Sequence, residues 1–246
     1  MKRELKRRIK QDDFVSGFEQ TWAFARQRSK ELQIVAAVVL VVAVGAWGVS
    51  AWQQRRALEA EQAFAGALEI FNAPVTSELP LGSPPPAGTV YATAAEKYDK
   101  AAAAFADVAQ RFASQPVGVR ALYYAGIARM EAGQTAEAEK TLSQVAGRRE
   151  PGALAPALAR LALGELYRRT GRTDQAVDAF RQVVDDPQAP VPRDHALLSL
   201  AATLDEAGRS AEARAAYVRL SQDFPASVYA AEARRRAEFL ETAAAT

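Results

Sequence analysis

The 246-residue sequence predicts an all-α protein: a single N-terminal transmembrane helix, then a solenoid of helical hairpins with a C-terminal capping helix. Three observations predict it. Residues 34–52 form an uncharged apolar run. A Gly-x-Thr/Ser-x-x-Ala phrase recurs three times downstream, with its glycines 38 and 37 residues apart. Prolines gather between these phrases, where they link hairpins instead of breaking helices.

The run IVAAVVLVVAVGAWGVSAW makes a helix about 28 Å long, enough for a hydrocarbon core of roughly 30 Å. Trp47 and Trp52 stand at its C-terminal end, where interfacial aromatics belong, and Arg55 and Arg56 follow. Val49-Ser50-Ala51 has the small-x-small spacing of a signal cleavage site. The charged leader of more than thirty residues, and an apolar run longer than a signal's, argue instead for an uncleaved anchor. Residues 1–32 carry nine Lys/Arg, whereas the twenty residues after the span carry only Arg55 and Arg56. The positive-inside rule puts the N-terminus in the cytoplasm and the C-terminal part across the membrane. Within the leader, Phe14, Phe18 and Trp22 share one face of a helix, flanked by Arg26 and Lys30. That pattern suits an amphipathic helix on the inner leaflet or docked on a partner; a solvated tail is the alternative.

The expected organisation is a basic leader (1–32), the span (33–52), a helix continuing from it (53–71), a Pro-rich flexible insertion (72–89), and the solenoid with its cap (90–246). In the continuing helix, Leu58, Phe64 or Ala65, Leu68 and Phe71 recur at helical spacing. The insertion contains Gly82-Ser-Pro-Pro-Pro-Ala-Gly88, which cannot be helical.

The repeats are Gly133–Ala138, Gly171–Ala176 and Gly208–Ala213. A large apolar residue follows each glycine by nine positions: Leu142, Phe180 and Tyr217. Seven residues before the glycines stand Gly126, Gly164 and Ala201, small enough for two helices to approach closely. The turn glycines supply the φ > 0 conformation that ends a helix. Thr173 and Ser210 are then the expected N-caps of the helices that follow. Each unit reads as helix A, tight turn, helix B.

This pattern resembles the tetratricopeptide repeat (TPR). The matching residues are Gly126, Gly133, Ala138 and Leu142; Gly164, Tyr167, Gly171, Ala176 and Phe180; and Ala201, Gly208, Ala213, Tyr217 and Pro225. The units exceed the 34-residue TPR period by three or four residues, placed in the links around Pro151, Pro156, Pro187, Pro190 and Pro192. The aromatic expected late in helix A is replaced by Arg129 and Leu204 in two units. Phe224-Pro225-Ala-Ser227-Val-Tyr-Ala230 is similar to a link found in TPR proteins of the bacterial envelope. Residues 226–243 read as a last helix, with Arg234, Arg235, Arg236 and Glu238 on exposed faces.

Chemistry is sparse by comparison. A net charge of +2 argues against nucleic-acid binding. With no cysteine and a single histidine, disulfides, thiolate sites and paired-His chemistry are excluded. No phosphate-binding, hydrolase or zinc-protease motif occurs. No catalytic residue, cofactor, metal or small molecule is expected, and the chain reads as a non-enzyme. The TPR resemblance implies instead a groove along the inner faces of helices A: Arg120, Tyr123, Ile127, Glu165, Arg168, His195 and Asp205. Tyr123, Leu161 and Leu198 occupy the positions where chaperone-tail TPR domains begin their carboxylate clamp, so that clamp is missing.

In its layout the chain resembles the YfgM-like family, ancillary subunits of the bacterial SecYEG translocon. The resemblance implies a single-pass inner-membrane protein with a periplasmic TPR domain. Its implied partners are translocon subunits, periplasmic chaperones or emerging chains. The alternative is a structural TPR scaffold in a cell-division, peptidoglycan or outer-membrane assembly complex.

Overall fold

The computed structural model describes residues 29–78, 88–148 and 153–244. All regular elements among them are helical, apart from one isolated bridge. The aromatic leader Phe14–Trp22, the Gly82–Ala87 stretch and the Arg149–Pro151 link lie outside the described residues.

Helix α1, Ser29–Asn72, crosses the boundary between two compact units that divide after Leu58. In the first unit its described large apolar side chains are exposed, Trp47 by 75 % and Val41 by 71 %. It is long and apolar enough to cross a membrane.

In the second unit, residues 59–72 of α1 supply the helix A that the first hairpin needs. Ala60, Phe64 and Ala67 are buried against α2 (Ala94–Arg111) and α3 (Pro116–Glu131). Phe64, Phe71, Phe105 and Tyr124 meet at ring-centroid distances of 5.2–6.1 Å, the tilted and edge-on arrangements that aromatic quadrupoles favour. Of the residues expected to pack here, Leu58 and Ala65 face outward; the buried stripe runs through Ala60, Phe64 and Ala67.

The hairpins that follow are α3 with α4 (Thr135–Ala146), α5 (Leu154–Arg169) with α6 (Thr173–Val184), and α7 (Arg193–Glu206) with α8 (Ser210–Asp223). Helix α9, Ala230–Ala244, closes the array by burying Ala233, Ala237 and Leu240. Three apolar clusters line the array, through α1–α3, α4–α6 and α5–α9, each drawn from consecutive helices as in a repeat array.

The turns follow one design. Gly133, Gly171 and Gly208 have φ of 79°, 72° and 71°. Each donates its N–H to the carbonyl three residues back, and the next residue donates to the carbonyl five back, as Arg172 does to Tyr167 at 2.9 Å. This is the Schellman motif, which satisfies the last carbonyls of helix A. Its closing residue, Gln134, Arg172 or Arg209, is also the N-cap of helix B. Thr173 and Ser210, expected as N-caps, are therefore the first helical residues and make no capping bond. A two-residue turn leaves no room for a separate cap.

Helix A meets helix B at the predicted small residues. A Cβ added to Gly164 would lie 2.6 Å from the Phe180 ring, and one on Gly126 2.7 Å from Leu142. Ala138, Ala176 and Ala213 are fully buried on the facing helices. Where Tyr167 stands in the second unit, Arg129 in the first bonds the buried Thr141 hydroxyl, and Leu204 in the third fills core space. The Phe224–Ala230 link is fixed by the Ser227 hydroxyl, which donates to Asp194 at 2.7 Å.

The insertion is held at both ends. Val75 and Tyr91 form a parallel bridge, with Thr76 N–H to Tyr91 O at 2.9 Å and Tyr91 N–H to Pro74 O at 3.1 Å. Val75 is fully buried and Tyr91 is 6 % exposed. Residues 73–76 and 91 are thus part of the packed unit.

Gly164→Val should destabilise the second unit by about 1–3 kcal/mol, because Phe180 is confined and cannot yield. Chemical denaturation of the full chain in detergent, followed by circular dichroism, measures this. An unchanged midpoint would show that the interhelix gap is looser than these contacts require.

Candidate functional site

Helices A contact one another across one side of the array, α3 with α5 and α5 with α7, which makes that side the inner one. The residues expected to line it fall into three separate places.

Arg120 and Tyr123 come together in a cleft of about 510 Å³ between the N-terminal turns of α3 and α5. Its walls are largely apolar, with Val119, Leu154, Pro156 and Leu158 among them. Arg120 bonds Glu61 of α1, and its guanidinium lies 4.2 Å from the Phe64 ring centroid. Burial raises the Tyr123 phenol above its ordinary pKa, with the neighbouring Tyr124 adding to the shift. Ile127, one turn further on, is half-buried against the core.

Glu165, Arg168 and Asp205 join a second feature, a row of ion pairs along the C-terminal turns of helices A. Arg169 reaches Glu131 of α3 at 3.3 Å and Glu165 at 2.8 Å. Arg168 bonds Glu165 at 2.9 Å and Glu206 of α7 at 2.9 Å. Asp205 continues the row to Arg236 of α9. Arg236, expected on an exposed face, is half-buried through this pairing. Partial burial pushes the Glu165 carboxyl up, but the bonds from Arg168 and Arg169 outweigh it and hold the group below the usual carboxylate range.

His195 stands apart at the start of α7. It is exposed, with its ring 6.2 Å from that of Tyr229.

Sequence reasoning missed a parallel row at the turns. Each Schellman-closing residue reaches back to the preceding helix B: Gln134 to Asp99 at 2.7 Å, Arg172 to Glu139 at 2.8 Å, Arg209 to Asp174 at 2.9 Å. Tyr167 donates its hydroxyl to the same Glu139 at 3.0 Å. The Arg172 bond lowers Glu139 below its ordinary pKa, against a smaller opposing push from burial. The signal in the sequence was the long polar side chain after every turn glycine.

These hairpins, with small-against-large interhelix contacts and glycine turns, are those of the tetratricopeptide fold. The model of the Tetratricopeptide repeat-like domain family matches residues 27–233. The chain belongs to that family. Among solved structures, the TPR-like chain is similar to nearly identical TPR-like repeats assigned to a putative kinesin light chain of Podosopora anserina. A point variant of those repeats has a TM-score of 0.48 at 17 % identity, with 60 % of this chain and 84 % of that chain covered. A second structure of the same repeats gives 0.47 at 15 % identity, covering 61 % and 89 %. Among curated proteins none matches the chain. TPR-like domains generally bind other proteins, so the kind of partner expected is a protein.

Glu139 and Glu165 are depressed in the folded state, so they add stability above the unfolded carboxylate pKa of about 4.3. That contribution is lost as pH falls through their lower folded values. The thermal midpoint of the full chain in detergent should therefore fall as pH drops from about 5 to about 3. Arg168→Gln with Arg169→Gln should flatten the fall. A pH profile unaltered by the double substitution would remove the ion-pair row as its cause.

Proposed function

We propose that this protein is a membrane-tethered scaffold, its N-terminus in the cytoplasm and its TPR-like domain in the periplasm. The observation that carries the reading is the surface of α1 from Ile34 to Trp52. Its large apolar side chains, among those described, are exposed, which water penalises and lipid satisfies. Positive residues before the run set the orientation. Behind the anchor, the inner face of helices A offers an apolar cleft and a charged row, a mixed surface suited to extended segments or a partner helix.

The finer reading is a subunit accessory to the bacterial Sec translocon, holding emerging chains or periplasmic chaperones. Its support is the order of parts: basic leader, single span, a few TPR-like units and a cap. Gly45 and Gly48 have open space around them on α1, which permits close approach of another membrane helix. A structural role in a cell-division, peptidoglycan or outer-membrane assembly complex is the second reading. It is favoured by the Phe224–Ala230 link, in which Ser227 is bonded to Asp194.

Photo-crosslinking in intact bacterial cells tests the proposal, with a benzophenone amino acid at Tyr123 or Arg168 of the full chain. Crosslinks to translocon subunits or periplasmic chaperones are expected. Crosslinks confined to division or outer-membrane assembly proteins would overturn the translocon reading. In parallel, protease added to spheroplasts should digest the TPR-like domain; full protection would overturn the orientation.

A further inference from the structure

Resting on the scaffold reading above, we propose that the cleft between α3 and α5 is an anchor site for an extended partner segment bearing a bulky apolar side chain beside a carboxylate. The floor sets the apolar half. Leu154 opens α5 and is 54 % exposed, and Leu158, Pro156 and Val119 continue the surface inward. A leucine left bare at a helix start, among prolines and further aliphatics, is a surface that gains from being covered. At about 510 Å³ the cleft lies in the size range of sites that enclose a few residues of ligand.

The rim sets the charged half. Among the described residues, five charged or phenolic groups face the cleft: Glu61, Arg120, Tyr123, Tyr124 and Arg148. Glu61 and Arg120 pair with each other and cancel. Arg148 makes no ion pair among the described residues, and the Tyr123 hydroxyl donates no hydrogen bond among them. Among the described residues the site therefore carries one net positive charge, with the Arg148 guanidinium and the Tyr123 hydroxyl offering donors beside an apolar floor. A carboxylate accepts from both a guanidinium and a phenol, and such charge-assisted bonds are stronger than neutral ones. A cationic segment finds only the already satisfied Glu61. The second large cleft on this face, between α7 and α9, has no comparable bias: its Asp205 is matched by Arg236, its Glu206 by Arg168, and Glu232 and Arg235 share its wall.

The test uses the full chain in detergent micelles and a fluorescein-labelled hexapeptide with a central Phe-Asp pair, amidated so that Asp is its only carboxylate. Phe-Asn, Phe-Lys and Ala-Asp peptides serve as comparisons. Fluorescence anisotropy should show Phe-Asp bound best, Phe-Asn weaker by about threefold, as for one exposed charge contact, and Ala-Asp weaker by about tenfold. Arg148→Glu should reverse the order, so that Phe-Lys binds better than Phe-Asp. Leu154→Ser, which removes apolar floor without adding charge, should weaken every Phe-bearing peptide. Equal binding of the charged and neutral peptides, an order unmoved by Arg148→Glu, or no binding at all would overturn the proposal. Cellular crosslinks from Arg168 that persist after such a failure would remove this anchor alone; loss of those crosslinks too would remove the scaffold reading itself.

Discussion

In the hairpins α3–α4 and α5–α6 the side chain of one helix occupies the space that a Cβ on the other would need, and in α7–α8 the equivalent residue is the small, buried Ala201. The Phe180 ring sits 2.6 Å from where a Cβ on Gly164 would be, and Leu142 stands 2.7 Å from the same position on Gly126. The two helices of a unit are therefore closer than ordinary side chains allow, and that approach has a condition. The chain must reverse within two residues, which requires φ > 0 at Gly133, Gly171 and Gly208. The backbone reversal and the interhelix contact support each other: the Schellman bonds satisfy the end of helix A while aiming helix B at its small-residue groove. The separate core clusters, the inner face and the cap at α9 all rest on this arrangement being repeated.

Repetition of a local unit produces a surface with a register of its own. Side chains at equivalent places in successive units face one another across the gap between hairpins, and the two polar rows exploit this. One joins Glu131, Arg169, Glu165, Arg168 and Glu206 along helices A. The other joins each turn to the preceding helix B. Exposed ion pairs of this kind contribute about 0–1 kcal/mol each, so they do not hold the solenoid together. Their effect is on alignment: a hairpin slipped by one turn would separate Arg168 from Glu206 and Arg209 from Asp174 at once. The apolar clusters supply cohesion, and the charges select one register from the several that small and apolar surfaces tolerate.

The legible parts of this fold are those set by rules acting over a few residues. The glycine spacing, the small residues seven positions before and the large ones nine after follow from turn and helix geometry alone. All proved to be where the helices meet. The N-caps at Thr173 and Ser210 were misread for a related reason: local propensity favours a hydroxyl cap, but the Schellman turn already uses the preceding residue, and tertiary economy overrode propensity. The bridge between Val75 and Tyr91 was not legible, because composition describes the interior of the 72–89 segment and says nothing of which residues near its ends meet. The candidate site was less legible still. Arg120 with Tyr123, and Glu165 with Arg168, are neighbours on one helix, and periodicity brings each pair together. The gap of 38 residues from Arg168 to Glu206, and the cleft that sets Leu154 opposite Tyr123, depend on how successive hairpins rotate about one another, which no local pattern encodes.

Stability and recognition occupy different atoms in this molecule. The residues that define the repeat, Ala138, Ala176 and Ala213 with Gly126 and Gly164, are buried, whereas Arg148, Leu154, Arg168 and His195 keep much of their surface in solvent. A change in the second group leaves the interhelix contacts untouched, so the inner face is free to differ in chemistry while the hairpins stay fixed. That separation suits weak, selective contacts more than tight ones, since an open face buries little area on any single ligand. On the proposed reading, a membrane tether would offset the weakness. Confining a binding face to the membrane where its partner sits raises their effective concentration, and millimolar contacts then suffice for occupancy. If α1 is the anchor we propose, it and the shallow, mixed character of the inner face are two halves of one design: strong affinity at the cleft would be unnecessary beside a partner held at the same membrane, and would slow the release that repeated use requires.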